Sequence, residues 1–131
     1  MTAERDLQRL LASLQPEQRP GAFVLVTVPQ DEPVPPVTLA ASVTEDEGLT
    51  VVTTRDDADG LGLAYDFVGA WITLRVHSAL DAVGLTAVVS TALAGEGISC
   101  NVLAGFHHDH LLVPIDRAED ALRVLRALAP R

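Results

Sequence analysis

The stretch from Trp71 to Pro114, WITLRVHSALDAVGLTAVVSTALAGEGISCNVLAGFHHDHLLVP, constrains the fold more than any other part of the chain. Its centre repeats apolar residues at helical spacing: Leu85, Val88, Val89, Ala92 and Leu93. Gly95 and Gly97 end that helix. Before it, Trp71, Thr73 and Arg75 alternate with Ile72, Leu74 and Val76, which predicts a half-buried strand. After it, residues 98–103 and 110–115 predict two more strands, joined by a turn or bulge at 104–109. A sequence that reads strand, glycine turn, helix, strand, hairpin, strand must lay the helix on a sheet. Its polar residues gather at the turn and at the hairpin. An apolar scaffold with polarity confined to its turns suits a small-molecule binding module and carries almost nothing of a catalytic machine.

The remaining elements follow from periodicity and breakers. Leu7, Leu10, Leu11 and Leu14 predict an amphipathic helix over about 3–15, ended by Pro16 and the Pro20–Gly21 pair. Residues 22–28 predict a strand, stopped by Pro29 and a proline-rich loop over 29–36. Residues 37–44 and 49–54 predict a hairpin turning at Glu45, Asp46, Glu47 and Gly48. A short helix over 56–64 is weakened by Gly60 and Gly62. Asp116 is expected to cap a last helix, with Glu119 completing a capping box and Ala118, Ala121, Leu122, Leu125, Leu128 and Ala129 facing the core. The second half thus reads β-α-β-β-α, and the first half α-β-β-β-α, a permuted or incomplete copy of the same plan. The expected class is α+β: ferredoxin-like split βαβ units in tandem, with antiparallel sheets and helices on one face. The expected units are 1–66 and 67–131.

Charge excludes several functions. The chain of 131 residues carries a net charge of −9, and all nine of its basic residues are Arg. Nucleic-acid binding needs a basic footprint, and an anionic membrane surface needs the same. Neither is expected as a partner. Residues 1–66 carry −8 of the charge, in acidic loops that include Asp31, Glu32, Glu45, Asp46, Glu47, Asp56, Asp57 and Asp59. These read as a solvated surface in preference to a docking face. The N-terminus has an early acid and no apolar core segment, so no signal peptide is expected. The lone Cys100 permits no internal disulfide and suits a reducing cytoplasm, the expected location.

The turn Asp81-Ala82-Val83-Gly84-Leu85-Thr86, the helix after it, and then Gly95-Glu96-Gly97-Ile98-Ser99-Cys100-Asn101-Val102 together resemble the ACT domain family of small amino-acid-sensing regulatory modules. The segment 76–114 is similar to a group of small bacterial tandem-ACT proteins, and the module is similar to that in aspartate kinases and in eukaryotic cytosolic arginine sensors. The resemblance covers residues 70–129 well. Over residues 20–65 it rests on element order and on EGLTVV. It implies a non-enzymatic regulatory module that binds an amino acid or similar small ligand between ACT units, without a cofactor. It further implies a homo-oligomer acting on a regulated protein partner. The alternatives are a ligand-free dimerisation adaptor of the same fold and a His-based metal-binding protein.

The expected ligand-binding residues are Asp81, Val83, Gly84, Leu85, Thr86 and Asn101. A ligand carboxylate is best met by backbone N–H groups at a helix start, and residues 83–86 lie at one. Gly84 lets the backbone approach closely. Asp81 is the nearest acceptor for an ammonium, or else an N-cap. Asn101 offers a donor and an acceptor inside an apolar strand, or else pairs with backbone. His77 and Ser78 can line the mouth of the turn, and Arg75 is either a carboxylate clamp or a salt-bridge partner.

The run His107-His108-Asp109-His110 is conspicuous. On a strand, His108 and His110 share one face, and two His at i and i+2 can ligate Zn²⁺ or Ni²⁺. No Cys pair and no His-Glu-x-x-His helix supports that use, so no metal is expected, and the imidazoles and Asp109 are read as pairing with one another or with backbone. Cys100 sits in an apolar run, where nothing favours its thiolate. No nucleophile elbow, P-loop or dinucleotide fingerprint is present, and no catalytic residue is expected.

Overall fold

The computed structural model describes residues 3–130; Met1, Thr2 and Arg131 lie outside the described residues, and with them the outer ends of the expected units. The elements run α1 (Leu7–Ala12), β1 (Pro16–Val28), β2 (Ala41–Glu45), β3 (Gly48–Thr54), α2 (Arg55–Gly60), β4 (Val68–Leu74), α3 (Leu85–Gly95), β5 (Asn101–Ala104), β6 (Asp109–Pro114), a 3-10 turn (Ile115–Arg117) and α4 (Ala118–Arg126). This is the α+β class, built as tandem ferredoxin-like units. No helix among the described residues is long and apolar enough to cross a membrane.

Two compact units result. One joins the chain up to Arg19 to the chain from Ala70 onward, and the other is Pro20–Gly69. This packing division differs from a cut in chain order near residues 64–70. The reason lies in α1: Leu10, Leu11 and Leu14 bury in one core with Ile72, Leu74, Leu85 and Leu125. An isolated six-residue helix is marginal in water, so α1 depends on that packing. Asp6 caps it by accepting a hydrogen bond from the Arg9 N–H.

In the unit holding the second half, the strands run β4-β6-β5, with the opening residues of β1 beside β4. β5 and β6 pair antiparallel, Asn101 opposite Leu112 and Ala104 opposite Asp109. Ala70, Ile72 and Leu74 face the helix-covered core with Val89, Leu93, Leu111, Val113, Ala121 and Leu125. The intervening residues of β4 are buried as well, Trp71 at 5% and Thr73 at 8% exposure, so β4 is not half-buried as its alternation predicts. Its position inside the strand order accounts for this, with the helices over one face and the Arg19 guanidinium 5.4 Å from the Trp71 ring on the other.

In the unit Pro20–Gly69 the strands run β2-β3-β1, all antiparallel. The period of two along β1 puts Val24, Val26 and Val28 into a core with Val51 and Ala58. Glu45 pairs with Gly48 across the expected acidic turn. Gly48 has φ +147°, and an added Cβ would stand 2.5 Å from the Val28 carbonyl oxygen, so the hairpin demands glycine there. Two of the acidic residues are structural. The Asp57 carboxylate accepts from the Thr38 N–H at 2.7 Å, and that bond holds its pKa below the ordinary value. The Tyr65 hydroxyl donates to Asp59 at 2.7 Å.

Several boundaries move from their predicted positions. Pro16 and Pro20–Gly21, read as breakers, lie inside β1; Gly21 takes φ +95° and lets the strand continue. The strand predicted over 37–44 begins only at Ala41, and the one over 98–103 only at Asn101. Asp116 does not cap α4: it lies in the 3-10 turn, and Arg117 occupies the cap position without a side-chain bond. The buried face of α4 includes Val124, whereas Ala129 is exposed.

Candidate functional site

The turn 81–86 enters α3 through Gly84, which sits at the N-cap with φ +107°. No side chain caps this helix, so its first N–H groups are left for an outside acceptor. The backbone conformation favours glycine, and the contact with Leu7 is tight but lies at the end of a flexible side chain. L-residues rarely adopt this φ, and an added Cβ would stand 3.2 Å from Leu7 Cδ2 of α1. Leu85 is buried at 5% exposure and can offer a ligand only its backbone. Val83 is 85% exposed, and Thr86 is exposed.

Asp81 neither caps α3 nor stands free. Its carboxylate accepts from Arg5, Nε at 3.1 Å and Nη2 at 3.5 Å. It also lines a groove of about 480 Å³ with Arg5, His77, Ser78, Leu80 and Phe106. Leu80 and Phe106 are 67% and 77% exposed there. Asn101 opens β5 and is exposed, and its side chain has no hydrogen-bond partner among the described residues. Asp81, Val83, Gly84, Leu85 and Thr86 therefore form one contiguous turn. No hydrogen bond among the described residues joins Asn101 to it.

The histidines take separate partners. His110 Nδ1 lies 2.9 Å from Thr73 Oγ1, which also accepts from Trp71 Nε1 at 3.1 Å. Burial pushes the His110 pKa below its ordinary value, with contributions from His108, Arg75 and Arg19; Asp109 opposes them. His108 Nδ1 lies 3.3 Å from the Val76 carbonyl oxygen, which can only accept, so Nδ1 carries the proton. The Ser78 hydroxyl donates to Asp109 at 3.3 Å. The His107 ring lies 5.5 Å from the His77 ring at a tilt of 54° and meets Phe106 edge-on. Among the described residues no three His, Cys, Asp or Glu side chains converge to hold a metal ion. Burial raises the Cys100 thiol pKa, the reverse of what a nucleophile needs.

A second groove, of about 560 Å³, lies beside the histidines and is lined by Glu4, Arg9, Ser13, Gln15, Arg75, Val76, His77, His107 and His108. Sequence reasoning singled out Arg75 and the histidines but not Glu4, Arg9 or Gln15. The helical pattern marked only Leu7, Leu10, Leu11 and Leu14 of the first helix and carried no signal for those three.

Two sequence models, each described as an ACT domain, match residues 2–70 and 67–127. No curated protein matches the chain. Among solved structures it is similar to a Vibrio cholerae protein of unknown function described as a possible transport protein. That match has 40% identity and TM-score 0.84 over 95% of this chain and 96% of the other. It is similar in fold to an Agrobacterium tumefaciens protein, at 23% identity and TM-score 0.67 over 83% and 84% of the two chains. It also shares the fold of the regulatory subunit of aspartate kinase from Thermus flavus, at 12% identity and TM-score 0.66 over 91% and 99%.

Proposed function

The chain belongs to the ACT domain family, and from that premise we propose that it is a non-enzymatic, cytoplasmic regulatory module that binds an amino acid or a similar small zwitterion. The ligand carboxylate lies on the N–H groups of the turn into α3, at Val83, Gly84, Leu85 and Thr86. Its ammonium takes Asp81, exchanging with Arg5. In an assembled homo-oligomer an ACT unit of a second copy closes the site, with Asn101 on the exposed edge strand β5 as a further polar contact. The observation that carries this reading is Gly84 at an α3 N-terminus that no side chain caps. Binding then favours one oligomeric arrangement and so controls a protein partner.

Calorimetric titration of the full chain with each standard amino acid tests the reading. Saturable binding of at least one, weakened by Asp81→Ala, is expected. Flat titrations throughout would count decisively against it.

A second reading, a ligand-free adaptor, draws on the exposed Leu80, Val83 and Phe106 and on the Arg5–Asp81 ion pair that already occupies the acid. Under it, no amino acid raises the melting temperature, and alanine at Leu80 and Phe106 weakens self-association.

A further inference from the structure

The groove of about 560 Å³ takes no part in the amino-acid reading. We propose that it is a second ligand site, specific for a small molecule carrying a carboxylate or phosphate oxyanion. Its volume falls in the range of ordinary small-molecule pockets, about 300–1,000 Å³.

The charge of its walls runs against that of the chain. Its lining holds two arginines, Arg9 and Arg75, and one acid, Glu4, in a protein of net charge −9. Glu4 is partly committed, since its Oε1 accepts from the Asp6 N–H at 3.1 Å. The two arginines are not. Arg5, Arg117 and Arg123 each hold a carboxylate at 3.0–3.4 Å. By contrast Arg75 Nε stands 3.9 Å from Glu17, beyond hydrogen-bond distance, and the Arg9 guanidinium has no ion pair or hydrogen bond among the described residues. Two guanidiniums left short of partners in a chain rich in carboxylates are a ready receptor for an incoming one.

The frame around them is built. The Glu4 N–H donates to the His77 carbonyl at 2.9 Å, and the Ala79 N–H to the Glu4 carbonyl at 2.9 Å. The Arg75 N–H donates to the Gln15 carbonyl at 3.3 Å, and His108 is tied to Val76. Three chain segments are thus fixed around the groove before any ligand arrives, which lowers the entropic cost of binding. Gln15 is held at φ +45°, the one non-glycine residue with positive φ among those described; it lines the groove, and its side-chain amide has no hydrogen-bond partner among the described residues. Strain of this kind gathers at ligand sites. The adjacent His77 and His107 rings each add a ring N–H even when neutral.

Inorganic phosphate and succinate, titrated separately into the full chain by calorimetry, test this. Saturable binding of either supports the proposal, and the stronger probe identifies phosphate or carboxylate as the recognised group. The double variant Arg9→Gln/Arg75→Gln, with its melting temperature checked, is expected to lose about tenfold or more in affinity, as one lost charge-assisted contact implies. Asp81→Ala, directed at the amino-acid turn, is expected to leave probe binding unchanged. Two results overturn the proposal: neither probe binds, or the double variant binds as well as the parent. Loss of amino-acid binding alone would overturn only the reading of the turn.

Discussion

Thr73 Oγ1 of β4 and His110 Nδ1 of β6 lie 2.9 Å apart, with Trp71 Nε1 donating to the same oxygen at 3.1 Å. The hydroxyl accepts from Trp71 and keeps both one hydrogen to donate and one lone pair to accept, so it can pair with His110 Nδ1 in either ring tautomer. The imidazole is held neutral, its pKa depressed from 6.5 mainly by burial. The folded state therefore binds fewer protons than the unfolded state between the depressed value and 6.5. The stability this contributes is intact above 6.5 and declines as pH falls through that value. Urea midpoints are expected to drop from about pH 8 to about pH 5, and the drop should be smaller in His110→Phe. Thr73→Val, which removes the hydroxyl partner of His110 Nδ1 and of Trp71 Nε1, is expected to cost about 2 kcal/mol. A pH profile that His110→Phe leaves unchanged would refute the assignment.

Gly84 and Gly48 make a paired test of backbone demands. At Gly84 an alanine meets φ +107° and the flexible end of Leu7, at 3.2 Å. At Gly48 it meets φ +147° and a main-chain oxygen at 2.5 Å that cannot move aside. Gly84→Ala is expected to destabilise by about 1–2 kcal/mol, and Gly48→Ala by more, about 3 kcal/mol. Equal effects, measured by chemical denaturation, would show that the Leu7 and Val28 contacts do not set the difference.

Much of this was legible in the sequence, and the illegible part has a common cause. The stripe Leu85, Val89 and Leu93 is buried as its period predicts, because helical spacing is a local property. The turn at Gly84 and the Glu45–Gly48 hairpin follow from local backbone requirements in the same way. What sequence cannot supply is pairing over distance. Arg5 finds Asp81 across 76 residues, and Thr73 finds His110 across 37. No pattern within either segment points to the other. The groove around Arg9 and Arg75 belongs to this class, since the N-terminal segment joins the unit of the second half through core packing and through bonds such as Glu4 N–H to the His77 carbonyl, all distant in sequence. The strand through Pro16 and Pro20 failed for another reason. Proline and glycine break structure on average, but a Gly with positive φ also lets a strand bend and continue.

The Arg5–Asp81 pair is mostly exposed on both sides, at 64% and 73%. Water screens it, so Arg5→Ala is expected to change stability by about 0.5 kcal/mol or less. Its effect on function has the opposite sense under the proposed reading. Freeing Asp81 removes a competitor for the ligand ammonium, so amino-acid affinity should rise several-fold in Arg5→Ala and fall in Asp81→Ala. If both variants lose affinity together, Arg5 itself contacts the ligand and the exchange between Arg5 and ammonium is wrong.

Thr53 is fully buried in β3, at 0% exposure, and its hydroxyl has no hydrogen-bond partner among the described residues. A hydroxyl taken out of water without compensation costs free energy, about 1–3 kcal/mol by mutational measures. Valine keeps the shape and the β-branch that a strand favours while removing the polar atom. Thr53→Val is therefore expected to stabilise the unit Pro20–Gly69 by about 1 kcal/mol, read as a higher denaturant midpoint with an unchanged slope. Thr53→Ser retains the hydroxyl and removes the methyl, and should lower the midpoint. A midpoint that falls in Thr53→Val would mean that the hydroxyl is satisfied in solution, and that β3 depends on the bond it makes.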